Sequence, residues 1–253
     1  PMGATAIGTG SGTCAGYHEQ IAASLCKVTG LPIGIEENLF DGLQNGDIYL
    51  DIMGAIKAVA VAMSKISTDF RMLSSGPRAG LQEIELPAVQ PGSSIMPGKI
   101  NPVMPELMNQ VCYDICGNDV AVTMAVEGGE LDLNVWEPLM VKKIVSSGRM
   151  LQNAMALFDE RCIRGIQANR EVCLRYATRS LANSSLVSAV FDYHTGTAVS
   201  HRAFDEDKSV QEVAVEMGLM SEEDAARLLA PQTLADPERM AELVKEYRHK
   251  LKK

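Results

Sequence analysis

Three stretches of the chain place apolar residues at alternating steps of four and three. From about Asp47 to Ser75 the series is Ile52, Ile56, Val59, Met63, Ile66, Phe70 and Leu73, a repeat that keeps one stripe of a helix turned towards a neighbour. It resumes after Pro102 as Met104, Met108, Val111, Ile115, Asn118, Val122 and Ala125, with the polar Asn118 in one core-type place. The third stretch is Met140, Ile144, Ser147, Leu151, Ala154 and Phe158. These patterns predict three long bundle helices. The first is expected to stop at Ser74-Ser75-Gly76-Pro77, where a glycine ends the helix and a proline cannot continue its hydrogen-bond ladder. Three such stripes call for more partners than one another, and Ala58, Ala60 and Ala62 permit close helix approach. Oligomerisation is therefore expected.

Near Gly165-Ile166-Gln167-Ala168-Asn169 the long stripes give way to shorter helical stretches, broken at Thr195-Gly196 and Pro231. Ser209-Val210-Gln211-Glu212 and Ser221-Glu222-Glu223-Asp224 read as helix N-caps with acidic first turns, and Gly218 as the end of the helix between them. The expected organisation is all-α: residues 1–167 as part of a central long-helix bundle domain, and residues 168–253 as a small C-terminal helical domain whose charged tail, from Glu242, frays.

Composition narrows the function classes. Hydrophobic residues make up 46% of 253 positions but aromatics only 5%, which suits helices packed by aliphatic side chains better than a β-sandwich. A net charge of −9 without a dense Lys/Arg cluster speaks against nucleic acid as a partner. No stretch approaches the roughly 20 apolar residues of a membrane span, and no basic patch with an apolar core opens the chain, so no membrane association and a cytoplasmic location are expected. Cys14, Cys26, Cys112, Cys116, Cys162 and Cys173 lie in hydrophobic segments without C-x-x-C spacing and read as buried free thiols. His18, His194, His201 and His249 show no metal-ligand spacing and read as structural or surface residues, so neither metal nor cofactor is expected.

Gly76 to Asn101, about 26 residues rich in glycine and proline, separate the first two long stretches, and loops of that length inside a compact domain are usually functional. This one contains Gly92-Ser93-Ser94-Ile95-Met96-Pro97-Gly98-Lys99-Ile100-Asn101-Pro102. Two serines between glycines are ordinarily only loop residues. The attached lysine and Asn-Pro change that balance. The run resembles the G-S-S-x-M-P-x-K-x-N signature of the fumarase/aspartase superfamily.

Removing a proton from the carbon beside a carboxylate creates an aci-carboxylate, whose extra charge needs fixed positive charge and hydrogen-bond donors. Lys99 and Asn101 are suited to supply them, aided by the N-terminus of the helix after Pro102 with its free N–H groups. The resemblance implies that Ser93 is the general base, acting as an alkoxide, and that Ser94 and the backbone of Ile95 and Met96 grip the substrate carboxylate. Gly92 and Gly98 would let the loop open and close. It also implies that Glu106 partners a histidine from another subunit; the plainer reading is an acid that complements the helix dipole.

The segments Met2–Gly10, Gly76–Leu81, Asn101–Glu106, Asn109–Cys112, Val122–Ala125 and Leu133–Pro138 are similar to the branch that removes ammonia from aspartate, more than to fumarases. One departure is Gly12, where the G-T-G-x-N-T pattern has asparagine. The family's S-x-N and T-H substrate-binding motifs precede the segment matching Pro1, and its sites are built from three subunits of a homotetramer. The chain is thus expected to be roughly a C-terminal half, inactive alone, and to act on a small dicarboxylate, L-aspartate or fumarate, when complete. The alternatives are a fumarase, or a non-catalytic helical assembly module of the crystallin-like kind.

Overall fold

The computed structural model describes residues 1–251, which form twelve α-helices, two short 3-10 turns and one two-stranded ladder. Two compact units result: Pro1–Leu81 with Leu86–Ile166, and Gln82–Glu85 with the residues from Gln167 on.

In the first unit, α1 (Tyr17–Thr29) and α2 (Leu39–Gln44) precede three long helices, α3 (Asp47–Leu73), α4 (Val103–Glu127) and α5 (Glu137–Arg161). The stripes expected on α4 and α5 face the core: Met108, Val111, Ile115, Asn118, Val122 and Ala125 are buried, as are Met140, Ser147, Leu151, Ala154 and Phe158. On α3 the buried row is shifted by one position. Met53, Ala60 and Ser67 are inside, backed by Ile56, Met63 and Phe70, whereas Ile52, Val59 and Ile66 remain 42%, 44% and 40% exposed. Small side chains at 60 and 67 let α3 lie close to its neighbours, and the isoleucine–valine row is left outside. Phe70 stacks on Phe158 with ring centroids 6.1 Å apart, joining α3 to α5.

The polar core positions are mostly satisfied. Asn118 Nδ2 donates to Ser147 Oγ at 3.1 Å and to Asp114 Oδ2 at 3.0 Å, and its Oδ1 accepts from Lys143 Nζ at 2.7 Å. Asn134 joins α4 to α5: its Nδ2 donates to the Ala125 carbonyl and its Oδ1 accepts from Trp136 N–H. Among the described residues two atoms are exceptions, Asn183 Oδ1 in the second unit and, in this bundle, the Oγ of fully buried Ser67, neither of which has a partner. An unpaired buried hydroxyl costs stability, so Ser67→Ala is expected to stabilise the bundle by about 1 kcal/mol. The readout is a higher thermal midpoint; a lower one would mean that the hydroxyl is satisfied in solution.

In the second unit, β1 (Ile84–Glu85) pairs antiparallel with β2 (Gln167–Ala168), Ile84 opposite Ala168. There follow α6 (Arg170–Arg179), α7 (Ser184–Val190), α8 (Tyr193–Asp205), α9 (Val210–Glu216), α10 (Glu222–Leu228), α11 (Pro231–Leu234) and α12 (Pro237–Leu251). Leu186, Val187, Val199, Val210, Val213 and Tyr247 are among its core residues. Ser209 and Glu212 form a reciprocal capping box, Ser221 caps α10, and Gly218 adopts φ 68 after α9. The expected fraying from Glu242 does not occur in the described residues. α12 runs to Leu251, held by buried Tyr247, by Arg227 paired with Glu246, and by Lys250 paired with Asp224.

All six cysteines are free but only Cys112 and Cys162 are fully buried, and burial pushes both thiols up; contrary to expectation Cys26, Cys116 and Cys173 are half-buried and Cys14, in the segment before α1, is exposed. His194, His201 and His249 are exposed, and His18 is half-buried. Among the described residues no helix is long and apolar enough to cross a membrane.

Candidate active site

The serine segment closes on itself. Gly92 N–H donates to the Lys99 carbonyl at 2.7 Å, and Asn101 Nδ2 donates to the Gly92 carbonyl at 3.0 Å. A third bond, Lys99 N–H to the Met96 carbonyl at 3.3 Å, shapes the far side of this ring. The neck requires glycine: a Cβ at position 92 would lie 2.7 Å from the Lys99 carbonyl oxygen and 2.9 Å from the Asn101 nitrogen. Gly98 supplies a left-handed turn with φ 77.

Inside the ring, Ser93 Oγ accepts the N–H groups of Ile95 and Met96, each at 3.1 Å. Serine turns of this kind are common in loops. Two backbone donors converging on one hydroxyl oxygen also favour negative charge there, because their positions are set before any charge develops. The backbone of Ile95 and Met96, expected to hold a carboxylate, is thus engaged with the serine instead. Asn101 is half committed: one amide hydrogen serves Gly92 and the second is left to donate elsewhere. Ser94 and Lys99 are exposed, and Ile95 carries its apolar side chain into solvent, 86% exposed.

The start of α4 offers fewer donors than expected. Val103 N–H is taken by the Asn101 carbonyl at 2.9 Å and Pro105 has none, so of residues 103–105 Met104 alone brings an N–H to the site. Glu106 sits in this first turn, half-buried, on a cleft of about 770 Å³. Thr68 and Arg71 from the end of α3, Ser74 and Ser75 just after it, and Ile100 and Pro102 line the same cleft. Glu106 is therefore grouped with Arg71, whereas Ser93 and Lys99 lie outside the cleft lining.

Two residues that the sequence reading passed over support this region. Asn109, 2% exposed, donates from Nδ2 to the Ser64 carbonyl at 2.9 Å, to Ser64 Oγ at 3.0 Å and to Thr68 Oγ1 at 3.2 Å. Its Oδ1 accepts from Arg71 Nη1 at 3.4 Å. The available signal was an asparagine three positions after Glu106 on the apolar side of a helix. No group of three or more His, Cys, Asp or Glu suited to a metal ion occurs among the described residues.

Known proteins resemble the chain. Residues 1–117 match the model of a family described as lyase. The chain is 44% identical over 236 residues to the aspartate ammonia-lyase of Escherichia coli K12, covering 93% of this chain and 49% of that protein. It is 43% identical to a fumarate lyase:delta crystallin from Brucella melitensis, with a TM-score of 0.86 over 93% of this chain and 51% of that one. For the class II fumarase of Schistosoma mansoni the figures are 33% identity and a TM-score of 0.87, over 93% and 52%. The chain thus spans about half the length of the curated relatives it matches.

Proposed function

Because the chain belongs to the fumarase/aspartase superfamily, we propose that it carries the serine-loop half of an aspartate ammonia-lyase, with Ser93 as the general base. The observation that carries the assignment of the base is the pair of N–H groups on Ser93 Oγ. An ordinary serine hydroxyl is too weak an acid to work as an alkoxide near neutral pH, and two fixed donors lower the cost of the charged form.

In this reading, Ser93 Oγ takes the proton from the carbon next to the side-chain carboxylate of L-aspartate. The electron pair moves into that carboxylate to give the aci form, then returns as the carbon–nitrogen bond breaks, leaving fumarate and ammonia. Lys99 and the second amide hydrogen of Asn101 meet the charge that develops on the carboxylate, with Ser94 beside them. The exposed apolar side chains of Ile95 and Met96 are suited to cover the substrate and exclude water. Glu106 is the acid that orients a histidine contributed by another subunit.

The rest of the site comes from other segments of the full-length protein, in a homotetramer whose composite sites this chain completes only in part. The uncovered row Ile52, Val59 and Ile66 supports such assembly. The greater identity to aspartate ammonia-lyase than to the class II fumarase favours aspartate over malate.

The test is fumarate release, followed by ultraviolet absorbance, from L-aspartate and L-malate in parallel with the full-length protein. Fumarate from aspartate alone is expected. Fumarate from malate alone would make the protein a fumarase, and silence on both from an assembled tetramer would favour the structural module. Lys99→Ala is expected to weaken L-aspartate and fumarate binding together, by about tenfold, as a charge-assisted hydrogen bond is lost. Unchanged affinity for both would remove Lys99 as a carboxylate anchor.

A further inference from the structure

The cleft between the end of α3 and the start of α4 holds one cation and one acid among its described lining residues, Arg71 and Glu106. Their surroundings differ. Arg164, Arg179, Arg202 and Arg227 each pair with a carboxylate, whereas the hydrogen bond of Arg71 goes to a neutral amide oxygen, Asn109 Oδ1. Asn109 stands three residues after Glu106 on α4, so the two side chains share one side of that helix. Its other amide atom is fixed to α3 through Ser64 and Thr68. Arg71 is thereby anchored to both helices at the level of Glu106, with its charge left for the cleft.

We propose that Arg71 is a positioning residue for the elimination: its guanidinium draws the Glu106 carboxylate into the cleft and holds its direction there. The inference rests on the functional reading of Glu106 given above. Two features of the cleft support it. Ile100 and Pro102 line the same cleft as Glu106 and flank Asn101, which closes the serine ring, so the cleft that holds Glu106 reaches the point where the loop joins α4. The remaining polar lining, Thr68, Ser74 and Ser75, is neutral, so no other charged residue that lines the cleft competes for Glu106. Lys99, Asp69 and Arg78 are near in sequence but do not line the cleft.

The experiment uses the full-length protein and four variants: Arg71→Met, Arg71→Lys, Glu106→Gln, and Arg71→Met with Glu106→Gln. Arg71→Met is expected to lower kcat on the order of tenfold with little change in KM, as a catalytic group loses its orientation. Arg71→Lys is expected to recover part of that loss, since it restores the charge without the planar fork. In the Glu106→Gln background the Arg71→Met change should have little further effect. Losses that simply multiply in the double variant, or no recovery with lysine alongside a lowered thermal midpoint, would make Arg71 a structural link between α3 and α4 and overturn the proposal. If Glu106→Gln alone leaves kcat unchanged, the functional reading of Glu106 fails, and a kcat loss in Arg71→Met would then have to arise by another route.

Discussion

Ser93→Ala in the full-length protein is expected, on the proposed function, to lower fumarate formation by about a thousandfold, the middle of the range for losing a general base, while leaving assembly intact. The two halves of that statement rest on different observations. Activity falls because Ser93 Oγ is the atom on which the Ile95 and Met96 N–H groups converge. Assembly survives because both bonds are local and exposed, so the freed N–H groups turn to water at little cost. Turnover is read by ultraviolet absorbance and assembly by sedimentation. Substantial turnover from a properly assembled variant would put the base elsewhere, whereas loss of assembly would show that the ring has a structural role.

The second large effect is expected at Gly92, through space rather than backbone conformation. Gly92→Ala puts a methyl group 2.7 Å from the Lys99 carbonyl oxygen and 2.9 Å from the Asn101 nitrogen, both backbone atoms that cannot swing aside. The neck must open, Asn101 loses its grip on the Gly92 carbonyl, and Ser93 and Lys99 lose their mutual placement. Misplacement of this size costs on the order of a hundredfold in kcat. Gly98→Ala provides the contrast. A methyl group there meets open space, so the cost is the left-handed φ of 77, about 1 kcal/mol. Steady-state kinetics on both variants should show the loss concentrated at position 92. Equal losses would mean that loop flexibility, rather than ring closure, sets the rate.

Local regularity was readable from the chain, and contacts across the chain were not. The stripes of α4 and α5 could be read because their core positions are apolar or carry one recognisable polar member, as at Asn118. On α3 two neighbouring rows compete, and periodicity favours the larger side chains. Ile52, Val59 and Ile66 read as core, but close helix approach selects Ala60 and Ser67. Helix α1 has no fully buried residue; its Tyr17, Ile21 and Leu25 recur at steps of four but are only half-buried.

The candidate site divides in the same way. The loop residues lie within ten positions of one another and carry their chemistry in order. The ring at Gly92, the two donors on Ser93 and the link from Arg71 to Asn109 all depend on three-dimensional closure, the last across 38 positions. The tail was misjudged because charge alone suggests solvent, while Tyr247 brings a buried ring that holds α12 in place.

The ladder between Ile84–Glu85 and Gln167–Ala168 imposes an order on synthesis. The ribosome releases β1 before α4 and α5, and β2 after both, so the strand that opens the second unit waits unpaired while the long helices emerge. Local helical contacts can form at once, whereas this pairing must wait for a distant partner. A fragment cut to begin at Gln167 would keep β2 but lose the strand it pairs with, because the second unit is not one continuous stretch of chain.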